Sequence, residues 1–250
     1  MTTFQIVSDI HIEYRNNSVP DPLSIITPSA DILILAGDIG SLYKFNQLKQ
    51  FLCKLSIYFM YIIYVPGNHE YYEIDDIKPM TMNELTEKFI ILKNEIGNLY
   101  ILNRDSITIN DICITGCTLW SNPLIKLPKF VKIFGIDTTM YNNMFLRDLS
   151  YINKMINYCK VKKLKLIVVT HYCPTYQIIN ERKKKNRYVS LYTSDLDHLL
   201  YYSKVHTWIC GHIHSNFDMK TKGGTRIVGN QKGKPRDYVN DYSKSFTIIV

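Results

Sequence analysis

Apolar residues along the chain gather in short runs that end in polar residues, and these runs alternate with stretches whose apolar positions fall three and four apart. TFQIVSD (3–9), DILILAGD (31–38), YIIYVPGNHE (61–70), LKLIVVTHYCP (164–174) and HTWICGHIH (206–214) are runs of the first kind. Their length and their content of Ile, Val and Leu predict strands buried on both faces. Between them, Phe45, Leu48, Leu52 and Leu55 recur at helical spacing and predict a helix over 42–55. A second helix is expected over 81–97, with Thr81 and Glu84 as a capping box and Gly97 as its stop. Residues 99–120 carry Asn-Arg-Asp and Asn-Asp turn signals between β-rich runs, which predicts a strand followed by a hairpin. Residues 121–147, with Pro123, Pro128 and Gly135, lack a clear period and read as an irregular excursion or short helices. Helices are then expected near 148–162 and over 194–204, the latter capped by Ser194, with closing strands at 225–230 and 245–250. Alternation of strands and helices with antiparallel additions at the end makes the chain α/β, in one domain over residues 1–250.

Composition narrows the setting. The 250 residues are 46% hydrophobic and 21% charged, as in an ordinary globular protein. No apolar run reaches the ~18 residues of a membrane span. The start of the chain enters a strand pattern directly, so no signal peptide and a cytoplasmic location are expected. Six cysteines without CxxC pairing read as reduced, largely buried thiols. The formal charge of +8 suits a polyanionic partner such as nucleic acid or a phosphorylated substrate. A bias toward Lys, Asn, Ile and Tyr codons accounts for it equally well.

The strand ends carry the candidate chemistry. Asp9 and His11, Asp38, Asn68 and His69, His171, and His212 with His214 each follow an apolar run. Ligands of open α/β sheets bind outside the carboxyl ends of the strands, so these groups converge if the strands share a sheet. His212 and His214 stand two residues apart, which points both rings the same way on an extended backbone. Two facing imidazoles repel when protonated, and a metal ion would keep them neutral.

DIH (9–11), GD (37–38), GNHE (67–70), His171 and GHIH (211–214) together resemble the calcineurin-like metallophosphoesterases, with every metal-ligand position of that pattern filled over nearly the whole chain. VPGNHEYY (65–72), GCTLW (116–120), YTSDLDHLL (192–200) and GGTRIVGNQKG (223–233) look closest to its small bacterial and phage members. The resemblance implies an αββα sandwich, two mixed sheets flanked by helices, holding two divalent ions. Asp9, His11 and His214 would hold one ion, Asn68, His171 and His212 the other, and Asp38 would bridge them. Oxygen and imidazole donors suit Mn, Fe, Zn, Ni or Co, with Mn expected in vitro. The resemblance further implies in-line attack on phosphorus by a hydroxide between the ions, with His69 assisting the leaving group. Glu70 would orient that imidazole or a loop amide.

Departures from the pattern refine the expected activity. GDIGSLYK (37–44) lacks the second Asp and the Arg-Gly of the protein Ser/Thr phosphatases, and the Arg beside their Asn-His motif is missing. Asp9 is intact where lariat-debranching enzymes carry Cys. A mono- or diesterase is expected, on a phosphodiester or nucleotide-type substrate. The alternatives are a nuclease, or a non-catalytic metal-binding scaffold holding nucleic acid through the basic run ERKKKNR (181–187), which is otherwise a solvated loop. Tyr71, Tyr72, Tyr188 and Tyr192 are candidates for stacking a base. Trp120, Trp208, His198 and His206 read as ordinary core or surface residues, and Asn230 as a motif member or a plain turn.

Overall fold

The computed structural model describes residues 1–179 and 181–250, with the backbone alone for Arg182, Lys183 and Tyr202. Four parallel strands, β1 (Thr3–Val7), β2 (Ile32–Ala36), β3 (Tyr61–Val65) and β4 (Leu99–Ile101), lie side by side in chain order. A second sheet has the order β5-β6-β7-β8-β10-β9, from β5 (Asp105–Ile109), β6 (Ile112–Cys117), β7 (Lys165–Thr170), β8 (Thr207–Ile209), β9 (Phe217–Lys220) and β10 (Arg226–Gly229). The last strand, β11 (Thr247–Ile249), returns to the first sheet antiparallel to β1. The β5–β6 and β9–β10 pairs are also antiparallel, so both sheets are mixed.

Period-two alternation explains why the strand runs are apolar throughout. Phe4, Ile6, Ile32, Ile34, Ala36, Ile63 and Val65 of the first sheet pack against Ile112, Ile114, Ile167, Val169, Ile209 and Val228 of the second. The intervening residues, among them Leu33, Leu35, Ile62, Tyr64, Leu166, Val168 and Trp208, share a second core with the helices. Those helices are α1 (Phe45–Ser56), α2 (Met82–Glu95) and α3 (Thr138–Lys162), joined by the short α4 (Glu181–Lys184) and α5 (Asp197–Tyr202). Each buried Ile or Leu contributes roughly 1.5–3 kcal/mol, which holds the two sheets in fixed registration. The result is two mixed sheets face to face with helices outside, as the motifs imply.

Two local expectations need correction. The helix expected near 148–162 begins ten residues earlier, at Thr138, where the Asp137 side chain caps it by accepting from Met140 N at 2.8 Å. Its buried stripe runs through Tyr141, Phe145, Asp148, Ile152 and Met155, and the polar Asp148 at its centre masks the period. Asp148 is tolerated inside because Arg104 Nη1 and Leu119 N donate to it at 2.7 and 2.8 Å. Ser194 does not cap a helix; α5 starts at Asp197, and the Ser194 amide bonds to Cys173 O instead. Strand β9 carries no apolar run and was not legible. The capping box of Thr81 and Glu84 is formed as expected. The cysteines are all thiols, five of them buried.

Candidate metal centre

The carboxyl ends of β1, β2 and β3 meet those of β7 and β8 across the seam between the sheets, so the candidate residues converge from two sheets, not one. His171 Nδ1 bonds to Ala36 O at 2.9 Å and Thr118 Oγ1 to Pro66 O at 2.9 Å, tying the two edges together. The backbone leaves extended geometry to do this. Asp9, His11, Asp38, His212 and His214 have φ of 53°, 54°, 54°, 72° and 48°. Left-handed backbone costs these residues about 1–3 kcal/mol each, and the cores beneath hold it in place. The two rings of GHIH therefore reach one centre through a tight turn, in which Ile213 N bonds to Gly211 O at 2.9 Å, not through an extended strand. Glycine is required at the closest approach: a Cβ on Gly67 would stand 2.2 Å from Asp38 Oδ1.

The structure brings together all seven residues expected to hold metal. His11 Nε2 lies 3.2 Å from His214 Nε2, which lies 3.2 Å from Asp9 Oδ1. On the other side His171 Nε2 lies 3.0 Å from Asn68 Oδ1 and 3.2 Å from His212 Nδ1. Asp38 Oδ2 stands between the two sets, 3.7 Å from His11 Nε2 and 3.2 Å from His171 Nε2. Donor atoms held about 2.0–2.2 Å from a common ion stand roughly 2.8–3.6 Å from each other, which is close to the spacing of each set.

Each imidazole is fixed by an acceptor on its remaining nitrogen. Nδ1 of His11 faces Glu13 Oε1 at 2.9 Å, and Nδ1 of His214 faces Asp237 Oδ2 at 2.5 Å. Nδ1 of His171 faces Ala36 O at 2.9 Å, and Nε2 of His212 faces Leu191 O at 3.2 Å. These acceptors hold a proton on the outer nitrogen of each ring, so the inner nitrogen is the one free to meet an ion. Neither Glu13 nor Asp237 was identified from sequence. Glu13 lies two residues past His11 in a three-residue turn, and Asp237 lies in a loop with no apolar period.

Charge in the centre is arranged to receive cations. Burial opposes ionising Asp9, yet the neighbouring His214 holds its carboxyl down at about 2, and Asp38 is likewise held well below the carboxylate range by His171 and His69. Burial disfavours protonated His171, but Asp38 and Asp9 draw it up to about 10, so a proton there answers the demand that a metal ion would meet. Burial keeps His11 and His212 below the ordinary imidazole value, as lone-pair donors must be. The donor set, its spacing and its charge all fit two divalent ions.

His69 stands beside this centre. Its amide donates to Asp38 Oδ1 at 2.8 Å, its ring meets Tyr72 at 4.9 Å, and its Nδ1 lies 3.2 Å from Glu13 Oε1. It opens on a cleft of about 620 Å³, whose walls include Tyr14, Tyr72, Phe130, Lys132, Tyr192 and Lys234. Glu70 has no hydrogen bond to an imidazole among the described residues. Its carboxylate accepts from the amides of Asp38, Ile39 and Gly67 at 3.1, 2.8 and 2.7 Å and from Tyr64 Oη at 2.5 Å, binding two ligand loops together.

The remaining candidates divide. Tyr72 and Tyr192 line the cleft, Tyr71 is core, and Tyr188 packs on Phe130 at 5.2 Å. No described residue of 181–187 lines the cleft, and the side chains of Arg182 and Lys183 lie outside the described residues. Asn230 serves a tie, donating to Ile6 O and Ser243 O at 2.8 Å each. Trp208 is buried and donates to Thr170 Oγ1 at 3.0 Å, Trp120 is buried, and His198 and His206 are exposed. Among the described residues no helix is long and apolar enough to cross a membrane.

The family model described as calcineurin-like phosphoesterase matches residues 2–216. The chain is 28% identical to uncharacterized protein L509 of Acanthamoeba polyphaga mimivirus, over 97% of this chain and 96% of that one. Its fold is similar to that of phosphopantetheinyl hydrolase (PptH) from Mycobacterium tuberculosis, with a TM-score of 0.71 at 16% identity over 98% of this chain and 94% of that one. A dimetal phosphatase from Danio rerio is similar with a TM-score of 0.58 at 11% identity, over 91% of this chain and 86% of that one.

Proposed function

The chain belongs to the calcineurin-like phosphoesterase family, and on that premise we propose that it is a dimetal phosphoester hydrolase, folded as one domain over residues 1–250. The observation that carries this reading is the pair of donor sets that share Asp38 Oδ2, each histidine in them fixed by an acceptor on its outer nitrogen. Asp9, His11 and His214 would hold one divalent ion, Asn68, His171 and His212 the other, and Asp38 both. Mn, Fe, Zn, Ni or Co bound there would supply Lewis acidity, acidifying water and neutralising the phosphoryl oxygens.

The protein's own groups do the rest. Glu70 fixes the loops of Asp38 and Asn68, so the centre needs no reorganisation when substrate arrives. His69, on the cleft side, gives a proton to the oxygen that leaves phosphorus. Tyr14, Tyr72, Phe130 and Tyr192 form a wall far larger than a phosphate group needs, which supports a phosphodiester or nucleotide-type substrate. Lys132 and Lys234 add positive charge at the same wall.

Turnover of bis(p-nitrophenyl) phosphate and of p-nitrophenyl phosphate by the Mn-loaded protein tests the reading and separates diesterase from monoesterase. No metal-dependent turnover of either ester would overturn it. His69→Ala should lower turnover by about 10²–10⁴-fold with metal content unchanged. Loss of metal in that variant would remove the role assigned to His69.

A further inference from the structure

We propose that Glu13 is a positioning residue that orients two imidazoles with different tasks through one carboxylate oxygen: His11 of the metal centre and His69 of the cleft. Oε1 lies 2.9 Å from His11 Nδ1 and 3.2 Å from His69 Nδ1. The two rings stand edge to face, centroids 4.6 Å apart at 85°, so they do not stack on each other and need an outside group to fix their planes. Glu13 is itself held. Its backbone carbonyl accepts from Lys44 Nζ at 2.8 Å, and that of Ile12 beside it accepts from Gln47 Nε2 at 3.0 Å. Glu13 is 9% exposed, and its other oxygen, Oε2, is buried without a hydrogen-bond partner among the described residues. The bonding of this carboxylate is therefore committed to the two imidazoles.

An ionised carboxylate only accepts, so both nitrogens that face it must donate. One oxygen thereby holds a proton on Nδ1 of both rings. For His11 this leaves the Nε2 lone pair toward Asp38 and His214, where the ion would sit. For His69 it leaves Nε2 as the single ring nitrogen available to substrate. His69 enters this step as the imidazolium, with a proton on each ring nitrogen: when the bond from phosphorus to the leaving oxygen breaks, its electron pair goes to that oxygen, which takes the Nε2 proton and leaves the ring neutral with its proton on Nδ1. Glu13 keeps the Nδ1 proton in place and is not consumed. A bond shared in this way also ties occupation of the His11 site to the orientation of His69.

The His69 half of this inference rests on the phosphoesterase reading above; the His11 half requires only a metal. Glu13→Gln keeps the shape and removes the charge. In calorimetric titration of Mn into the metal-free protein, this variant should bind one ion about 10–100-fold more weakly and the other unchanged. At saturating Mn its kcat should fall with KM little altered, and fall further on a phenyl ester than on the matching p-nitrophenyl ester, whose leaving oxygen needs less help from a proton. In a His69→Ala background the same change should cost no further kcat. Unchanged metal affinity, or equal losses on both esters that add to the loss from His69→Ala, would overturn the proposal. Should the native protein hydrolyse neither ester, the phosphoesterase reading fails, while the titration still decides the His11 half. Thermal melting controls for folding. If Glu13→Gln does not fold, Glu13→Asp, which keeps the charge but shortens the reach, enters the same comparisons.

Discussion

The two halves of the centre have the same kind of donors but are held in different ways. His171 and His212 are fixed by backbone carbonyls, Ala36 O and Leu191 O. His11 and His214 are fixed by side-chain carboxylates, Glu13 and Asp237. Exposure divides differently, since His11 is as buried as His171 while His212 is half-buried like His214. The His171 side chain is fully buried in the seam between the sheets, whereas that of His214 is 17% exposed and that of Asp237 33%. A backbone acceptor cannot be removed by substitution and comes with the fold. A carboxylate acceptor can be lost or altered one residue at a time, and it adds negative charge beside the ion it serves. The half held by carboxylates is therefore where affinity and reactivity can be adjusted without disturbing the sandwich.

The largest effect should come from the atom the halves share. Asp38→Ala should abolish turnover and strip both ions, as read by elemental analysis of the purified protein; full retention of one ion would show that Asp38 serves a single half. Next come the individual ligands. His171→Ala and His212→Ala should deplete one and the same ion and His214→Ala the other, and depletion of the same ion by all three would collapse the division. Asp237→Asn should act more mildly, weakening one ion by about 10–100-fold and sparing the other. Equal weakening of both ions in a metal titration would mean that Asp237 acts by overall charge and not by holding His214. Smallest is a change remote from either half. Thr81→Ala removes the capping box of α2 and should cost about 0.5–2 kcal/mol in urea unfolding with metal affinity untouched. A metal effect there would show that the halves are sensitive to stability in general.

The strands were legible because both their faces are buried, which turns alternate positions into continuous apolar runs such as Ile32–Ala36. The candidate ligands were legible because each follows such a run. Asp148, by contrast, interrupts the stripe of α3 with a polar residue, and its partner Arg104 lies 44 residues away in sequence. Glu13 gave no signal beyond an acidic residue near His11, since its meaning depends on His69, which arrives from another strand. Asp237 sits in a loop whose position is set by Lys234 N and His214, not by any period.

By itself, then, the sequence determined the strands, the helical stripes and the set of candidate metal-binding residues, since these depend on the spacing of neighbouring side chains. Tertiary structure alone decided that the candidate ligands come from two sheets, that the backbone of five of them turns left-handed to converge, and which oxygen holds each imidazole. Those outcomes depend on distances of a few ångströms between residues up to 205 positions apart, such as Asp9 and His214, and only the packing of one sheet on the other sets them.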